Sequence, residues 1–309
     1  MARTRGAGDD LVSRGRERRE RMSAEAAGHH RDPAPPRFDR SFAAFGSLAL
    51  EGASVSAHAV DLATGDDVLA IDERVVLPTA GVGVLVLLVE VSARMTADDT
   101  WGHTIVDKPG SAGRTAPGLW QHMQAPALPV ADIAMLAASA RDALAVNALL
   151  DLVGLDAVRA RADALSLTRT AVLDLVRDER GPDDAPHATV GSAAELTWLM
   201  TALARGTAVD RATSRRVVRW LRSGVDLTLV GAAFGADPLS HRFAEHDIRI
   251  VNAVGIDAGV RCETGWLSGP RTQVAYAATV QFADTSLATR LAVHRVLRTF
   301  GTELLEFVA

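Results

Sequence analysis

The nine histidines of this chain are scattered, and lysine and cysteine, two side chains that supply amine and thiol nucleophiles, are almost absent. Lys108 is the one lysine and Cys262 the one cysteine. A mechanism that needs two lysines is therefore excluded, as are an intrachain disulfide and a cysteine-based zinc site. A single cysteine fits a reducing compartment. Cys262 has no histidine near it in sequence to activate it as a nucleophile, so a buried structural thiol is expected. His241 and His246 flank Glu245 at a spacing that does not put both on one helix face for zinc. No metal and no cofactor are expected. Gly81 and Gly83 complete neither a dinucleotide fingerprint nor a phosphate loop. A helix start with small residues can bind an anion, but packing against a sheet explains these glycines as well. Acidic groups gather at 173–186, where Asp174, Asp178, Glu179, Asp183 and Asp184 fall. Arg141 and Asp142 interrupt an alanine-rich run, and Arg261 and Glu263 flank Cys262.

The elements that must position these groups follow from periodicity. Residues 77–91, LPTAGVGVLVLLVEV, give a proline turn, small residues and then an apolar run. The spacing predicts a helix over 82–94 that is apolar all round and hence buried. Upstream, VSAHAVDL at 54–61 alternates as a strand, Ala63-Thr64-Gly65 turns, and 67–71 returns, which makes a hairpin. Helical spacing runs from Val130 to Val153 and from Leu155 to Leu165. A polar loop with two prolines fills 177–188. Helices follow at 192–204 and 210–222, the first with Ser192 as N-cap and Glu195 completing a capping box. Strands then come at 248–251, 264–267 and 272–282. Ser286 opens a last helix with Val293, Leu297, Phe300 and Leu304 on one face. The expected class is α+β: one antiparallel sheet built from both chain ends, with a large helical subdomain inserted.

The chain has 309 residues, 48% of them apolar, so most of it should fold around a sizeable core. Residues 1–38 are the exception: polar, of mixed charge, and ending in Pro-Ala-Pro-Pro before Arg37 and Phe38. They are read as a disordered tail, with 39–309 the folded domain, and Met1 and Met22 both stand as possible starts. Mixed charge in the tail and a net charge of −5 give little attraction for nucleic acid or an anionic membrane. No apolar stretch marks a secretory leader, and the longest apolar run, 82–89, falls short of the ~20 residues needed to span a bilayer. The reading is a cytoplasmic protein with an unknown small-molecule or protein partner.

In order and spacing, four segments resemble the class A β-lactamases and penicillin-binding-protein-like serine hydrolases: VSAHAVDLATGDDVLAIDERVVLPTAGVGVLVLLVEV, PALPVADIAMLAASARDALAVNALLDLVG, HATVGSAAELTWLMTALARG and NAVGIDAGVRCETGWLSGP. The resemblance covers about 42–308. It implies a serine on the first turn of the buried helix with a lysine three residues on; here those positions hold Gly81 and Val84. The family's Ser-Asp-Asn segment reads Arg141, Asp142 and Ala143, and its Lys-Thr-Gly segment reads Ala253, Val254 and Gly255. Asp142 and Asn147 match family residues that hold the fold, and the glycine lets a ligand approach the edge strand. None of the acids of 173–186 sits where the family's deacylating glutamate can be assigned. Thr79 lies two residues before the nucleophile position. Arg261 matches an arginine that helps bind a substrate carboxylate; the bland alternative is a surface strand arginine paired with Asp257 or Glu263.

The resemblance therefore implies the frame of a serine hydrolase without its acyl-transfer groups. Catalytic residues are expected to be none, and the expected role is a pseudoenzyme that binds a ligand or partner. The alternative is a hydrolase with a repurposed cleft built from Arg141, Asp142, Arg261 or Glu263. A scaffold or nucleic-acid role through the arginine-rich tail is the third reading.

Overall fold

A computed structural model describes residues 38–110, 118–239 and 247–309. Helix α1 (Asp39–Leu50) precedes the hairpin of β1 (Ser54–Asp61) and β2 (Asp67–Ile71), and the short β3 (Leu77–Pro78) leads to a tight turn at 82–84 and helix α2 (Leu85–Ala97). The middle of the chain holds β4 (Ile105–Asp107), β5 (Ala127–Pro129), α3 (Val130–Ala140), α4 (Ala143–Val153) and α5 (Leu155–Ala164). Next come β6 (Ala171–Val172), β7 (Thr189–Gly191), α6 (Ala193–Arg205) and α7 (Arg211–Leu221). The chain ends in β8 (Arg249–Asp257), β9 (Val260–Ser268), β10 (Gln273–Gln281) and α8 (Leu287–Val308).

The main sheet has five strands in the order β2-β1-β10-β9-β8. The antiparallel pairing of β1 with β10, Ser54 opposite Gln281 and Asp61 opposite Val274, joins the two ends of the chain. The sheet is mixed with helix in the α+β manner that the periodicity predicts. On the central strand both faces are buried: Val274, Tyr276, Ala278 and Val280 pack with α1 and α8, while Ala275 and Ala277 pack with the inserted helices. Two cores therefore share one sheet, each removing apolar surface from water on its own side.

Beneath the sheet, Val293, Leu297, Phe300 and Leu304 of α8 are fully buried. The Phe300 ring lies edge-on to Phe45 at 5.7 Å and to Tyr276 at 6.0 Å, geometry that suits the ring quadrupoles. Phe38 belongs to this cluster, 6.2 Å from Phe300 and with no exposed surface. The packed body thus begins one residue earlier than the composition of the tail suggests, because a single aromatic in a polar run is enough to dock. The rest of the tail, 1–37, lies outside the described residues.

Three local expectations are revised. The run 130–153 is two helices, because Arg141 takes a left-handed conformation (φ 54°) and Asp142 caps α4 by accepting from the Ala145 amide. Ser192 does cap α6, but Glu195 does not return to it. Its carboxylate instead accepts the Thr168 and Arg169 amides at 2.8 and 3.0 Å, pinning the loop before β6. Strands β8 and β9 are each longer than their apolar cores, since Ala258-Gly259 closes a two-residue hairpin with Gly259 at φ 69°.

Candidate functional site

The site expected from the sequence is the seam where the start of α2, the α3–α4 break and the edge strand β8 meet. Ala80 sits at φ 48°, so the chain turns sharply from β3 into the tight turn that opens α2. A side chain built on Gly81 would meet the Val254 carbonyl at 3.6 Å, so this position faces β8. Gly255 approaches from the other side: a Cβ there would fall 2.3 Å from the Thr79 carbonyl and 3.0 Å from the Gly81 nitrogen. That contact leaves room for glycine alone. Gly83 is as confined, with Thr189 Cβ only 2.4 Å from where its own Cβ would stand. Packing therefore requires Gly83 and Gly255, whereas Gly81 has space.

Thr79 is the hydroxyl nearest in sequence to Gly81, and it does not face the seam. It is fully buried, 2.9 Å from Thr189 Oγ1, and Thr189 in turn donates to the Ala80 carbonyl. Val84 is buried in the apolar core of the inserted helices. Ala253 packs on that same core, and Val254, alternating with it along the strand, points to the α8 side.

At the α3–α4 break, Asp142 is fully buried and holds backbone on two sides: its oxygens accept from the Trp120 amide at 2.7 Å and the Ala145 amide at 2.9 Å. Asn147 clamps the loop after β6, donating to the Val176 carbonyl and accepting its amide, both at 2.8 Å. The acids of that loop are also spoken for in part. Asp174 pairs with Arg177 at 3.1 Å and Arg180 at 3.3 Å, and Asp184 pairs with Arg177 at 3.3 Å. Burial pushes the Asp174 carboxyl up, but the arginine bonds outweigh it and hold it below its usual range. Asp178, Glu179 and Asp183 are exposed.

Arg141 reaches across the seam to Asp226 at 2.9 Å. The Asp226 loop is tied to both walls, through Val225 N to the Ser139 carbonyl and through Asn252 Nδ2 to the Asp226 carbonyl. Arg261 is buried rather than a surface strand arginine. It donates to the Asp257 and Val260 carbonyls, both at 2.8 Å, and to His294 Nε2 at 3.2 Å, and it lies over the Phe282 ring. Burial, then the nearby guanidiniums of Arg290 and Arg141, pull its pKa down. His294 is pulled down as well, by burial and by Arg261, which keeps Nε2 free to accept.

Glu263 does not belong to the seam. It has no exposed surface, and its carboxyl is surrounded by donors: Val230 N and Tyr276 Oη at 2.8 Å, Asn252 Nδ2 at 3.0 Å and Gly231 N at 3.2 Å. Its spacing from Arg261 put both on one strand face, yet a carboxyl with this many internal partners joins β9 to the 230–233 turn and has nothing left for a ligand. Arg141, Asp142, Arg261 and Glu263 thus do not converge; only Arg141 and Arg261 are electrostatic neighbours. Cys262 is buried with Thr279 Oγ1 at 3.1 Å from its sulfur, and burial pushes the thiol up to about 12, which leaves it inert. Asp226 and His294 are the seam residues that periodicity missed. They lie in segments with no motif around them, and only the fold brings them to Arg141 and Arg261.

Among the described residues no group of three or more His, Cys, Asp and Glu is gathered for a metal. His241, Glu245 and His246 lie outside those residues. No described helix is long and apolar enough to cross a membrane.

A five-stranded sheet joined from both chain ends, with helices inserted and a buried helix starting against the edge strand, defines a β-lactamase or transpeptidase-like fold. Residues 39–306 match the family described as the β-lactamase enzyme family, and the chain belongs to it. It is similar in structure to a β-lactamase from Sphaerobacter thermophilus, with a TM-score of 0.75 and 18% identity over 88% of this chain and 97% of that one. PBP-A superposes with a TM-score of 0.72 and 16% identity, covering 89% and 98% of the two chains. A β-lactamase from Desulfarculus baarsii gives 0.70 and 20%, covering 87% and 96%. At these identities the likeness speaks for fold. No curated protein matches the chain in sequence.

Proposed function

We propose that this β-lactamase-family domain has lost acyl transfer and acts by binding a ligand or a partner. The observation that carries the reading is Gly81. It stands at the turn into α2 and faces the Val254 carbonyl with no side chain, while the nearest hydroxyl in sequence, Thr79, is buried against Thr189. Val84, one turn on, has no amine to take a proton, and Arg141, Ala143, Ala253 and Val254 replace the remaining polar groups of the family pattern. Members of a catalytic unit fail together, so no residual turnover by that route is expected. A location in a reducing compartment belongs to this reading, supported by the single, inert thiol.

The second reading, a hydrolase with a repurposed site, is favoured by one cluster. Arg141, Asp226, Arg261 and His294 gather at one end of the seam, where Arg141 holds a carboxylate already. A carboxylate ligand that displaced Asp226 would take over that ion pair.

Incubation with a chromogenic cephalosporin and a fluorescent penicillin, followed by intact mass measurement, separates the two. The proposal expects no hydrolysis and no mass shift. A covalent adduct overturns it, and peptide mapping then identifies the nucleophile.

A further inference from the structure

A second concavity lies away from the seam. Helix α7 turns Val217, Trp220 and Leu221 inward, and its other face carries Arg211, Arg215, Arg219 and, just beyond the helix, Arg222. Spacings of four, four and three put them in one row along the helix. Like charges at such spacings destabilise an isolated helix, so helix stability does not account for the row. Between residues 205 and 222 the chain has six arginines and one acid, Asp210. Asp210 is occupied as the N-cap, bonded to Thr213 N at 2.7 Å and Thr213 Oγ1 at 3.0 Å. Arg216 leaves the row to hold the Ser92 carbonyl at 2.7 Å, and Arg205 donates to the Leu62 carbonyl. Arg211, Arg215 and Arg219 make no hydrogen bond or ion pair with any described residue.

This row walls a cavity of about 890 Å³, to which Arg205 also contributes. Its floor is apolar, formed by Met135, Leu203, Val218 and the Trp266 ring, and among the described residues no carboxylate lines it. None of the seam residues lines it either. The row spans ~16 Å at the rise of an α-helix. The volume lies in the range of sites that enclose a small organic molecule. Guanidinium forks bind phosphate oxygens two at a time, and a flat ring suits a floor that contains a tryptophan.

We propose that this cavity is a binding site for an organic polyphosphate of nucleotide size. The phosphate chain lies along Arg211, Arg215 and Arg219, and the apolar ring system rests on the Trp266 floor. A bare polyanion leaves that floor uncovered. An extended nucleic acid finds cations along this row but no continuation on a chain of net charge −5.

Calorimetric titration of the full chain with ATP at low salt tests the assignment, with inorganic triphosphate and adenosine titrated in parallel. The expected result is saturable one-to-one binding of ATP, weaker binding of triphosphate, none of adenosine, and loss of affinity as salt is raised. The variant Arg215→Glu/Arg219→Glu changes two exposed side chains that have no hydrogen-bond or ion-pair partner among the described residues. It is expected to keep its melting temperature and to weaken ATP by about a hundredfold, as loss of two charge-assisted contacts would. Absence of saturable ATP binding, undiminished binding in the double variant, triphosphate binding as tightly as ATP, or an RNA oligomer binding this face in place of ATP each overturns the proposal.

Discussion

Glu263 makes stability depend on pH in a direction opposite to most protein carboxylates. It is fully buried, and burial pushes its pKa from 4.5 to about 7 in spite of the donors around it. The folded state therefore binds a proton that the unfolded state releases between those two values. Stability is greatest below 4.5 on this account and falls as pH rises through 7. At about 1.36 kcal/mol per tenfold change in proton affinity, the full effect is about 3 kcal/mol, of which about 2–3 kcal/mol falls between pH 5 and 8. For a domain of this size that corresponds to a melting temperature lower by roughly 5 °C at pH 8 than at pH 5, taken alone. His294 works against it: with its pKa pulled down from 6.5, it makes stability rise with pH below that value. The difference between the wild type and Glu263→Gln isolates the carboxyl. Glutamine keeps an acceptor for Val230 N and Gly231 N, and Tyr276 can turn its hydroxyl to accept. Thermal melts of both proteins from pH 5 to 8 are expected to show the wild type losing about 2–3 kcal/mol relative to the variant across the window. Parallel curves would refute the reasoning, because they would mean that Glu263 is ionised throughout and that its donors outweigh its burial.

Two further outcomes follow from the packing. Gly255→Ala places a methyl 2.3 Å from the Thr79 carbonyl, a backbone atom that cannot turn aside, and should cost about 1–3 kcal/mol in a denaturant titration. Glu90 is buried and accepts from Arg94 at 2.8 Å and Arg161 at 2.9 Å; burial raises its pKa but these bonds win and lower it. Its contribution is therefore present above 4.5 and lost as pH falls through the depressed value, and Glu90→Gln should destabilise the protein by about 3 kcal/mol at neutral pH with little effect in acid.

The elements with strong periodicity were legible. The β1–β2 hairpin, α6, α7 and α8 could be placed within a residue or two because apolar spacing and turn residues agreed there. The α3–α4 break was not, since alanine and leucine keep helical spacing on both sides of Arg141, and a left-handed arginine leaves no mark in composition. Glu263 misled for a related reason. Alternation places a residue on a face of the sheet, but only the other elements decide whether that face meets a cleft or a second layer of core. The seam cluster of Arg141, Asp226, Arg261 and His294 comes from four separate segments, and no local pattern links them.

The residues that keep the family pattern share one property on the proposed reading. Asp142 satisfies two backbone amides, Asn147 satisfies both polar groups of Val176, and Gly255 permits a backbone contact that no side chain would allow. Each does work that the folded chain needs whether or not a substrate arrives. Gly81 and Val84 are less constrained: a side chain at Gly81 has room, and Val84 contributes apolar burial that other apolar residues of its size could supply, where an amine would need a partner. On the proposed reading, stability holds the first group in place and the absence of turnover leaves the second unconstrained. Arg141 fits the same logic. At the mouth of the seam it is one end of an ion pair that ties the α3–α4 break to the Asp226 loop, a contact the fold uses whether or not a ligand binds.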